Sequence, residues 1–143
     1  GINRHGAKLL FAYSEATTIK ITVIVRKAYG GAYIAMGSKH LGADYVYATP
    51  KATLAVMGAD GAVSILYHKV LSETPSEEVE TLKSKLVDEY TQKYMNPTIA
   101  EAEGYVDDVI SINEIRQRVF EDIKAFENKN VFILNKKHGN IPL

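Results

Sequence analysis

Two adjacent glycines, Gly30 and Gly31, stand between a run of β-branched residues and a run that suits a helix. At a junction of this kind, the first N–H groups of the helix have no partner within it, and the helix dipole adds partial positive charge. Such amides can bind an oxyanion or a polarised carbonyl oxygen, and a ligand can approach a main chain that carries no side chains. A tight turn that only packs a helix on a sheet would need the same glycines. Both interpretations stay open, since the complete glycine fingerprint of a dinucleotide site is missing.

Side chains that could act as nucleophiles, acids or bases are few and poorly spaced. Ser38, His40 and Asp44 suggest a catalytic triad, but the first two are two residues apart and would point away from each other on a helix. We therefore interpret these residues as a polar helix end. Asp60 and His68 have no second carboxylate or histidine at ligand spacing, which favours exposed or capping roles over a metal site.

The remaining candidates also have ordinary interpretations. Asp107 and Asp108 are adjacent and would face opposite sides of a strand, so they are not expected to share a proton. Tyr90 and Tyr94 are interpreted as packing residues. The sequence thus offers backbone amides and few acid–base side chains. This favours stabilisation of an enolate or a carbonyl oxygen over chemistry that needs a side-chain nucleophile.

Composition narrows the class of protein further. The 143 residues are enough for one domain, and 17 basic against 17 acidic residues leave a formal net charge of zero. A neutral balance argues against a nucleic-acid partner bound through bulk charge. The absence of cysteine excludes disulfides, thiolate metal sites and a cysteine nucleophile in this chain. No apolar run approaches the roughly 20 residues of a membrane span, and no signal peptide is apparent, so we expect a cytoplasmic protein.

The elements that would position the glycine pair alternate between strands and helices. The segment 20–26 is rich in β-branched residues and apolar on both faces, as in a strand of a parallel sheet that is covered on both sides. A strand, a glycine turn and a helix then occur twice, which is typical of an α/β fold. The predicted elements of this half are a helix over 4–16, a strand over 20–26, a helix over 32–36, a pair of strands over 45–48 and 53–57, a turn over 58–61 and a helix over 62–67.

The second half is predicted to be mostly helical. Capping boxes at 74–77 and 111–114 indicate two helix starts, and Gly104 closes a short helix over 98–103. The first long helix should end near Asn96, because a residue before proline avoids helical angles. A short strand is predicted over 106–110, and a polar, extended tail over 135–143. The apolar stripes predicted for the two long helices are Val79, Leu82, Leu86 and Tyr90, and Ile112, Ile115, Val119, Ile123 and Phe126.

Five blocks of sequence resemble the biotin-dependent acyl-CoA carboxyltransferases. This family includes the β subunit of propionyl-CoA carboxylase and the α subunit of methylmalonyl-CoA decarboxylase. The blocks follow the order of the family and cover nearly the whole chain, which makes them far more specific than the glycine pair alone. They are RHGAKLL at 4–10, RKAYGGAY at 26–33, SKHLGAD at 38–44, AVMGA at 55–59 and KKHGNIPL at 136–143.

The resemblance implies an α/β, crotonase-like fold of repeated ββα units. It also implies that residues 1–143 are the C-terminal part of a carboxyltransferase C-terminal domain, within a much longer subunit. By analogy with the family, the amides of Gly31 and Ala32 form an oxyanion hole for the ureido carbonyl of biotin. The resemblance further gives substrate-binding roles to Gly30, Tyr33, Ile34 and Gly58.

The implied activity is transfer of a carboxyl group between biotin and a short acyl-CoA, such as propionyl-CoA or methylmalonyl-CoA. The implied partners are a biotin carboxyl carrier protein, the acyl-CoA thioester, the N-terminal carboxyltransferase domain of the same and neighbouring subunits, and further copies in a hexamer. In the family mechanism no protein side chain need act as base, which agrees with the few acid–base candidates here. The isolated 143 residues are expected to be inactive.

The sequence departs from the family pattern at Ile34, Thr49, Thr98 and 111–113, and two alternative functions stay open. Ile34 stands where many propionyl-CoA carboxylases carry Asp, whereas apolar residues occur there in acetyl-CoA-using and decarboxylase members. The first alternative is a crotonase-type enoyl-CoA hydratase or isomerase, which would need a carboxylate base such as Asp60. The second is a non-catalytic assembly module that packs through its apolar helix faces.

Overall fold

The chain folds as two strand–strand–helix units followed by a mostly helical half. The computed structural model describes residues 1–132, 135, 139 and 140. The first half contains α1 (Ile2–Glu15), β1 (Ile21–Ile24), β2 (Lys27–Tyr29), α2 (Gly30–Ala35), a short 3-10 helix (Lys39–Leu41), β3 (Tyr45–Ala48), β4 (Thr53–Ala55) and α3 (Ala59–Leu66). The second half contains α4 (His68–Glu73), α5 (Ser76–Tyr94), α6 (Pro97–Ala102), β5 (Asp108–Val109) and α7 (Ile115–Ala125).

Each strand–strand–helix unit contributes to two sheets. The first strands of the units, β1 and β3, pair in parallel and are joined by β5 in the order β1–β3–β5. The second strands, β2 and β4, pair in parallel in a separate two-stranded sheet, with Tyr29 opposite Ala55. The carboxyl ends of β2 and β4 therefore lie side by side. Each of these strands leads, within a few residues, into a helix.

The strand predictions need two corrections. The segment 20–26 ends as a strand at Ile24, and a separate strand begins at Lys27 in the other sheet. The strands at 45–48 and 53–57 are present, with the second ending at Ala55, but they do not pair with each other. In addition, the interior of β1 is half-buried, and the strand buried along its length is β3, which lies between two neighbours. Sheet assignment depends on partners distant in sequence, which local β propensity does not reveal.

Both helices that follow glycine turns begin earlier than predicted. Helix α2 begins at Gly30 instead of Ala32, and α3 begins at Ala59 instead of Ala62. Glycine is a weak helix former, so its presence favours a later start in a sequence-based prediction. In this structure the first turn of each helix contains glycine, and the glycine pair belongs to α2.

The core lies between the two sheets and α6. It is built mainly from alanines and β-branched residues, so the backbones of neighbouring elements approach closely. Helix α6 packs against this core through Ala100, and Tyr33 packs partly against it from α2. The buried cluster comprises Ile24, Ala28, Ala43, Val46, Ala48, Ala52, Leu54, Ala100 and Val106.

Helix α5 is present and ends close to the expected position, but its start differs from the prediction. None of its 19 residues is buried, and the stripe is half-buried where α5 contacts α3. The capping box at 74–77 is wrong, because the residue before the helix is Pro75 and no side chain caps the helix. Instead, the Thr74 hydroxyl donates to the Val70 carbonyl at 2.7 Å, since the preceding residues form α4, which was not predicted.

Only part of the apolar face predicted for helix α7 is buried in the structure. The Glu114 carboxylate accepts hydrogen bonds from the N–H (2.9 Å) and hydroxyl (2.6 Å) of Ser111, but these residues form a turn and the helix begins at Ile115. Ile123 is exposed, and the buried residue of the helix is Asp122, 8% exposed, which accepts a hydrogen bond from the Tyr47 hydroxyl at 2.7 Å. A polar residue therefore attaches α7 to the sheet, with Ile115, Val119 and Phe126 half-buried as predicted and Ile112 exposed.

The remaining predictions concern short segments and the tail. The helix over 98–103 and its closing glycine are confirmed, since α6 ends at Ala102 and Gly104 has φ +77°. The strand over 106–110 is confirmed in shorter form as β5. Most of the predicted extended tail lies outside the described residues. Within the described part of the chain, no helix is both long and apolar enough to cross a membrane.

Candidate functional site

A cavity of about 460 Å³ lies at the carboxyl ends of β2 and β4. Gly30 and Gly31 form its wall on the α2 side, and the end of β4 with Val56 forms the floor. The opposite wall comes from the end of α5 and from α6, including Tyr94 and Ile99. The carboxyl ends of parallel strands are the usual place for a ligand in α/β folds.

The two glycines of the cavity wall have different structural requirements. Gly30 has φ +57°, and a Cβ on it would lie 2.8 Å from the Val56 carbonyl oxygen. The fold itself therefore requires glycine at this position. A Cβ on Gly31 would meet no atom within 4 Å, and Gly31 is not among the glycines with positive φ. Close packing thus explains Gly30, while the described residues give no packing reason for Gly31.

Three aromatic rings line the cavity beside α2. The Tyr33 and His40 rings meet edge to face, with centroids 6.1 Å apart and an interplanar angle of 88°. The His40 ring stacks on Tyr105 at 5.4 Å and 17°. The Tyr33 hydroxyl oxygen is buried and has no hydrogen-bond partner in the described part of the chain. Burial, together with the neighbouring Tyr105, raises the pKa of the Tyr33 phenol above its ordinary value, so the group stays protonated at neutral pH.

The proposed triad geometry is absent, although for a different reason from the one expected. Ser38 Oγ lies 3.2 Å from His40 Nδ1, because Ser38 has extended backbone ahead of the 3-10 helix instead of a place on an α-helix. The expectation that these two side chains point apart is therefore wrong. Asp44 is engaged elsewhere, since its Oδ2 accepts from the Lys20 N–H at 2.7 Å and pairs with Lys129 Nζ at 2.8 Å. The interpretation against a triad stands.

The other acid–base candidates are not brought together. Asp60 is exposed in the first turn of α3, His68 is exposed at the start of α4, and neither is among the described residues that line the cavity. Asp107 accepts from the Val46 N–H and pairs with Lys39 at 2.7 Å, whereas Asp108 pairs with Arg118. The two adjacent aspartates thus serve different cations, as their sequence positions predict.

Four of the six candidate site residues line the cavity, and two do not. Gly30, Gly31, Tyr33 and Ile34 line it. Ala32 lies in the same helical turn, and Gly58 lies at the start of α3; neither is among the described lining residues.

Sequence reasoning missed the aromatic and opposite walls of the cavity. His40 was interpreted as part of a polar helix end, and Tyr94, which is 53% exposed, as a packing residue. Tyr105 and Ile99 were not considered. The helix break at 96–97 was the sequence signal that could have indicated this wall, because it turns α6 back toward the sheets.

Comparison with known proteins connects this site to a family. A family model described as a carboxyl transferase domain matches residues 1–141. The α subunit of methylmalonyl-CoA decarboxylase from Propionigenium modestum is 53% identical over 143 residues, 100% of this chain and 27% of the relative. The carboxyltransferase subunit of propionyl-CoA carboxylase from Haloferax mediterranei is 51% identical over 143 residues, again 100% of this chain and 27% of the relative.

Structural comparison gives the same family. A crystal structure of transcarboxylase 12S, described as a hexamer assembly with methylmalonyl-CoA and methylmalonic acid bound, matches with a TM-score of 0.91 and 44% identity. The match covers 100% of this chain and 27% of that chain, so the chain spans about a quarter of the length of these relatives. The expected α/β, crotonase-like fold is confirmed by this match, and the two ββα units are its local form.

Proposed function

Because the chain belongs to the carboxyl transferase domain family, we propose that it is the C-terminal part of a longer subunit that transfers a carboxyl group between biotin and a short acyl-CoA. The match over residues 1–141 carries this proposal. The relatives named above act on propionyl-CoA or methylmalonyl-CoA according to their names, and we propose the same substrate class here. The apolar Ile34 in the cavity wall is compatible with the apolar part of a short acyl chain.

In this proposal the first turn of α2 holds the ureido carbonyl oxygen of biotin through the amides of Gly31 and Ala32. The N–H groups of a first helical turn have no partner within the helix, and the helix dipole favours a partly negative oxygen there. The residues present fit such a group, since a Cβ on Gly31 would meet no atom within 4 Å and the main chain is therefore accessible. When bound, biotin supplies the chemistry of accepting and releasing the carboxyl group.

The other residues of the proposal position the substrate. Gly30 shapes the turn, and Tyr33 and Ile34 contact the bound molecules from α2. Gly58, outside the cavity at the start of α3, is proposed to contact a part of the substrate that extends beyond it. The largely apolar wall excludes water, which strengthens the hydrogen bonds made by backbone amides.

We further propose that the active site needs parts that this chain does not contain. The chain covers 27% of its relatives, and the transcarboxylase 12S structure is described as a hexamer assembly. The proposed partners are a biotin carboxyl carrier protein, the N-terminal carboxyltransferase domain of the same and neighbouring subunits, and further copies in a hexamer. We therefore expect the 143 residues alone to show no carboxyl transfer.

The variant Gly31→Val tests the proposed oxyanion hole. In the longer subunit, we expect biotin-dependent decarboxylation of methylmalonyl-CoA to fall by about 100-fold or more. The valine keeps the backbone N–H but blocks the approach of the ligand oxygen to it, and the loss of one oxyanion contact costs about that much. The unfolding midpoint should stay nearly unchanged, because a Cβ at this position would meet no atom within 4 Å. The matched control is Gly6→Val, which also meets no atom within 4 Å but lies in α1, away from the cavity, and should keep full activity.

Two outcomes would contradict the proposal. A wild-type subunit that binds acyl-CoA but shows no biotin-dependent transfer would refute the function itself. Full turnover in Gly31→Val would refute only the assignment of the oxyanion hole. Asp60 is exposed and outside the set of described cavity residues, so no observation favours the alternative hydratase activity.

A further inference from the structure

We propose that the Tyr33 hydroxyl is a ligand-binding group, which donates a hydrogen bond to a carbonyl or carboxylate oxygen of the molecule in the cavity, and that His40 is the residue that positions it. This inference rests on the proposed function and identifies one polar contact of the same site. Both proposed ligands, biotin and an acyl-CoA, carry oxygens of this type. The experiment below distinguishes between them.

The unpartnered hydroxyl of Tyr33 is the first observation. The Tyr33 side chain lines the cavity, and its hydroxyl oxygen is buried and has no hydrogen-bond partner within the described residues. Leaving a buried hydroxyl unsatisfied costs about 1–3 kcal/mol, and the great majority of buried polar atoms in folded proteins have a partner. Two other tyrosines of this fold follow that rule, since Tyr29 pairs with Thr53 Oγ1 at 2.8 Å and Tyr47 donates to Asp122 at 2.7 Å. A ligand oxygen in the cavity would satisfy Tyr33 in the same way.

The aromatic frame around Tyr33 is the second observation. The half-buried Tyr33 ring packs against the core and meets the His40 ring edge to face, with the ring centroids 6.1 Å apart. His40 in turn stacks on Tyr105, and its Nδ1 lies 3.2 Å from the hydroxyl of Ser38, which is 1% exposed. The ring of Tyr33 is thus held before a ligand arrives. Preorganisation of this kind reduces the entropy lost on binding.

The chemistry of the group identifies its partner. A tyrosine phenol is protonated at neutral pH, and burial raises the pKa of Tyr33 further, so this residue offers a neutral O–H donor. A neutral donor in a mostly apolar cavity suits an sp² oxygen better than a cation. The polar partner of Tyr33 is therefore a carbonyl or carboxylate oxygen.

The variant Tyr33→Phe tests the hydroxyl, with Tyr29→Phe as a matched control. In the longer subunit, binding of free biotin and of methylmalonyl-CoA is measured by calorimetry, and unfolding is measured without ligand. We expect Tyr33→Phe to weaken one of the two ligands about tenfold, which corresponds to about 1.4 kcal/mol, without lowering the unfolding midpoint. Tyr29→Phe should lower the midpoint, because it removes a made hydrogen bond, and leave both affinities within about twofold.

The ligand whose affinity falls identifies the source of the oxygen. Unchanged affinity for both ligands would overturn the proposal. A midpoint that falls as much as in Tyr29→Phe would also overturn it, since the hydroxyl would then have a partner within the protein. A wild-type subunit without biotin-dependent transfer would refute the proposed function, while weakened methylmalonyl-CoA binding in Tyr33→Phe would still support the ligand contact.

A double-variant cycle tests the positioning role of His40. His40→Ala removes the ring that holds Tyr33 and should weaken the same ligand as Tyr33→Phe, whereas His40→Phe keeps a ring and should restore most of the affinity. In the Tyr33→Phe background, His40→Ala should cause no further loss for that ligand, because the contact it supports is already gone. Independent, additive losses would show that His40 acts on the structure in general and would refute the positioning role.

Discussion

Replacing Gly30 by alanine should destabilise the fold, whereas the same change at Gly31 should not. Gly30 has φ +57°, where an L-residue costs roughly 1–2 kcal/mol. The new Cβ would also lie 2.8 Å from the carbonyl oxygen of Val56, a backbone atom that cannot rotate away. Relief requires the chain after β4 to move away from the start of α2, and overpacking of this kind costs about 1–3 kcal/mol.

We therefore expect Gly30→Ala to lower the free energy of unfolding by about 2–5 kcal/mol. This is a large part of the roughly 5–15 kcal/mol that typical domains have. Urea titration followed by far-ultraviolet circular dichroism measures the change, and the m value should stay constant if the unfolded state is unaffected. The chain has no tryptophan, so circular dichroism is the more direct signal.

The control is Gly31→Ala, whose Cβ meets no atom within 4 Å. Alanine is a better helix former than glycine by about 0.5–1 kcal/mol, so the midpoint should stay equal or rise. Equal loss of stability in both variants would refute the reasoning, because it would remove the distinction between a glycine required by packing and one free to bind a ligand. An unchanged midpoint in Gly30→Ala would refute the strain argument alone.

Two further predictions concern buried polar contacts. Tyr47→Phe and Asp122→Ala should each lower the free energy of unfolding, because the hydroxyl donates to a carboxylate at 2.7 Å. A double-mutant cycle in urea should give a coupling energy of about 1.5–3 kcal/mol between the two residues, and additive losses would contradict this. Burial acts to raise the pKa of Asp44, but hydrogen bonds from Lys129 and the Lys20 N–H outweigh it and hold the pKa below its ordinary value. The stability from this carboxylate is therefore present above about pH 4 and is lost as the pH falls through the lowered pKa. Asp44→Asn should make the free energy of unfolding depend less on pH on the acid side. An unchanged pH dependence would count against the assignment.

Elements with a strong local signal could be predicted from the sequence. The helical spacing of Val79, Leu82 and Leu86 correctly indicates α5, because a half-buried helix needs one apolar face. The β-branched run before the glycine pair correctly indicates β1. Gly104 correctly marks the end of α6, where φ +77° favours glycine.

Features that depend on distant partners could not be predicted. The division of 20–29 into strands of two sheets depends on β3 and β4, which follow later in the chain. The cavity combines Tyr94 and Ile99 with residues far earlier in the sequence, such as Gly30. Asp122 is 8% exposed and accepts a hydrogen bond from Tyr47, a distant residue that its local sequence does not identify. Ser38 contacts His40 because the chain is extended there, which the spacing does not show.

Two of the five blocks that carry the family resemblance meet at one point of the structure. The block at 26–33 supplies β2 and the start of α2, and the block at 55–59 supplies the end of β4 and the start of α3. The two blocks approach each other at Gly30, where a Cβ would lie only 2.8 Å from the Val56 carbonyl oxygen. If the site uses backbone amides, as we propose, few acid–base side chains are expected in it, and a search for catalytic side chains gives little information. The resemblance rests on five blocks of five to eight residues and not on single acid–base side chains, which is why it is visible where a catalytic motif is not.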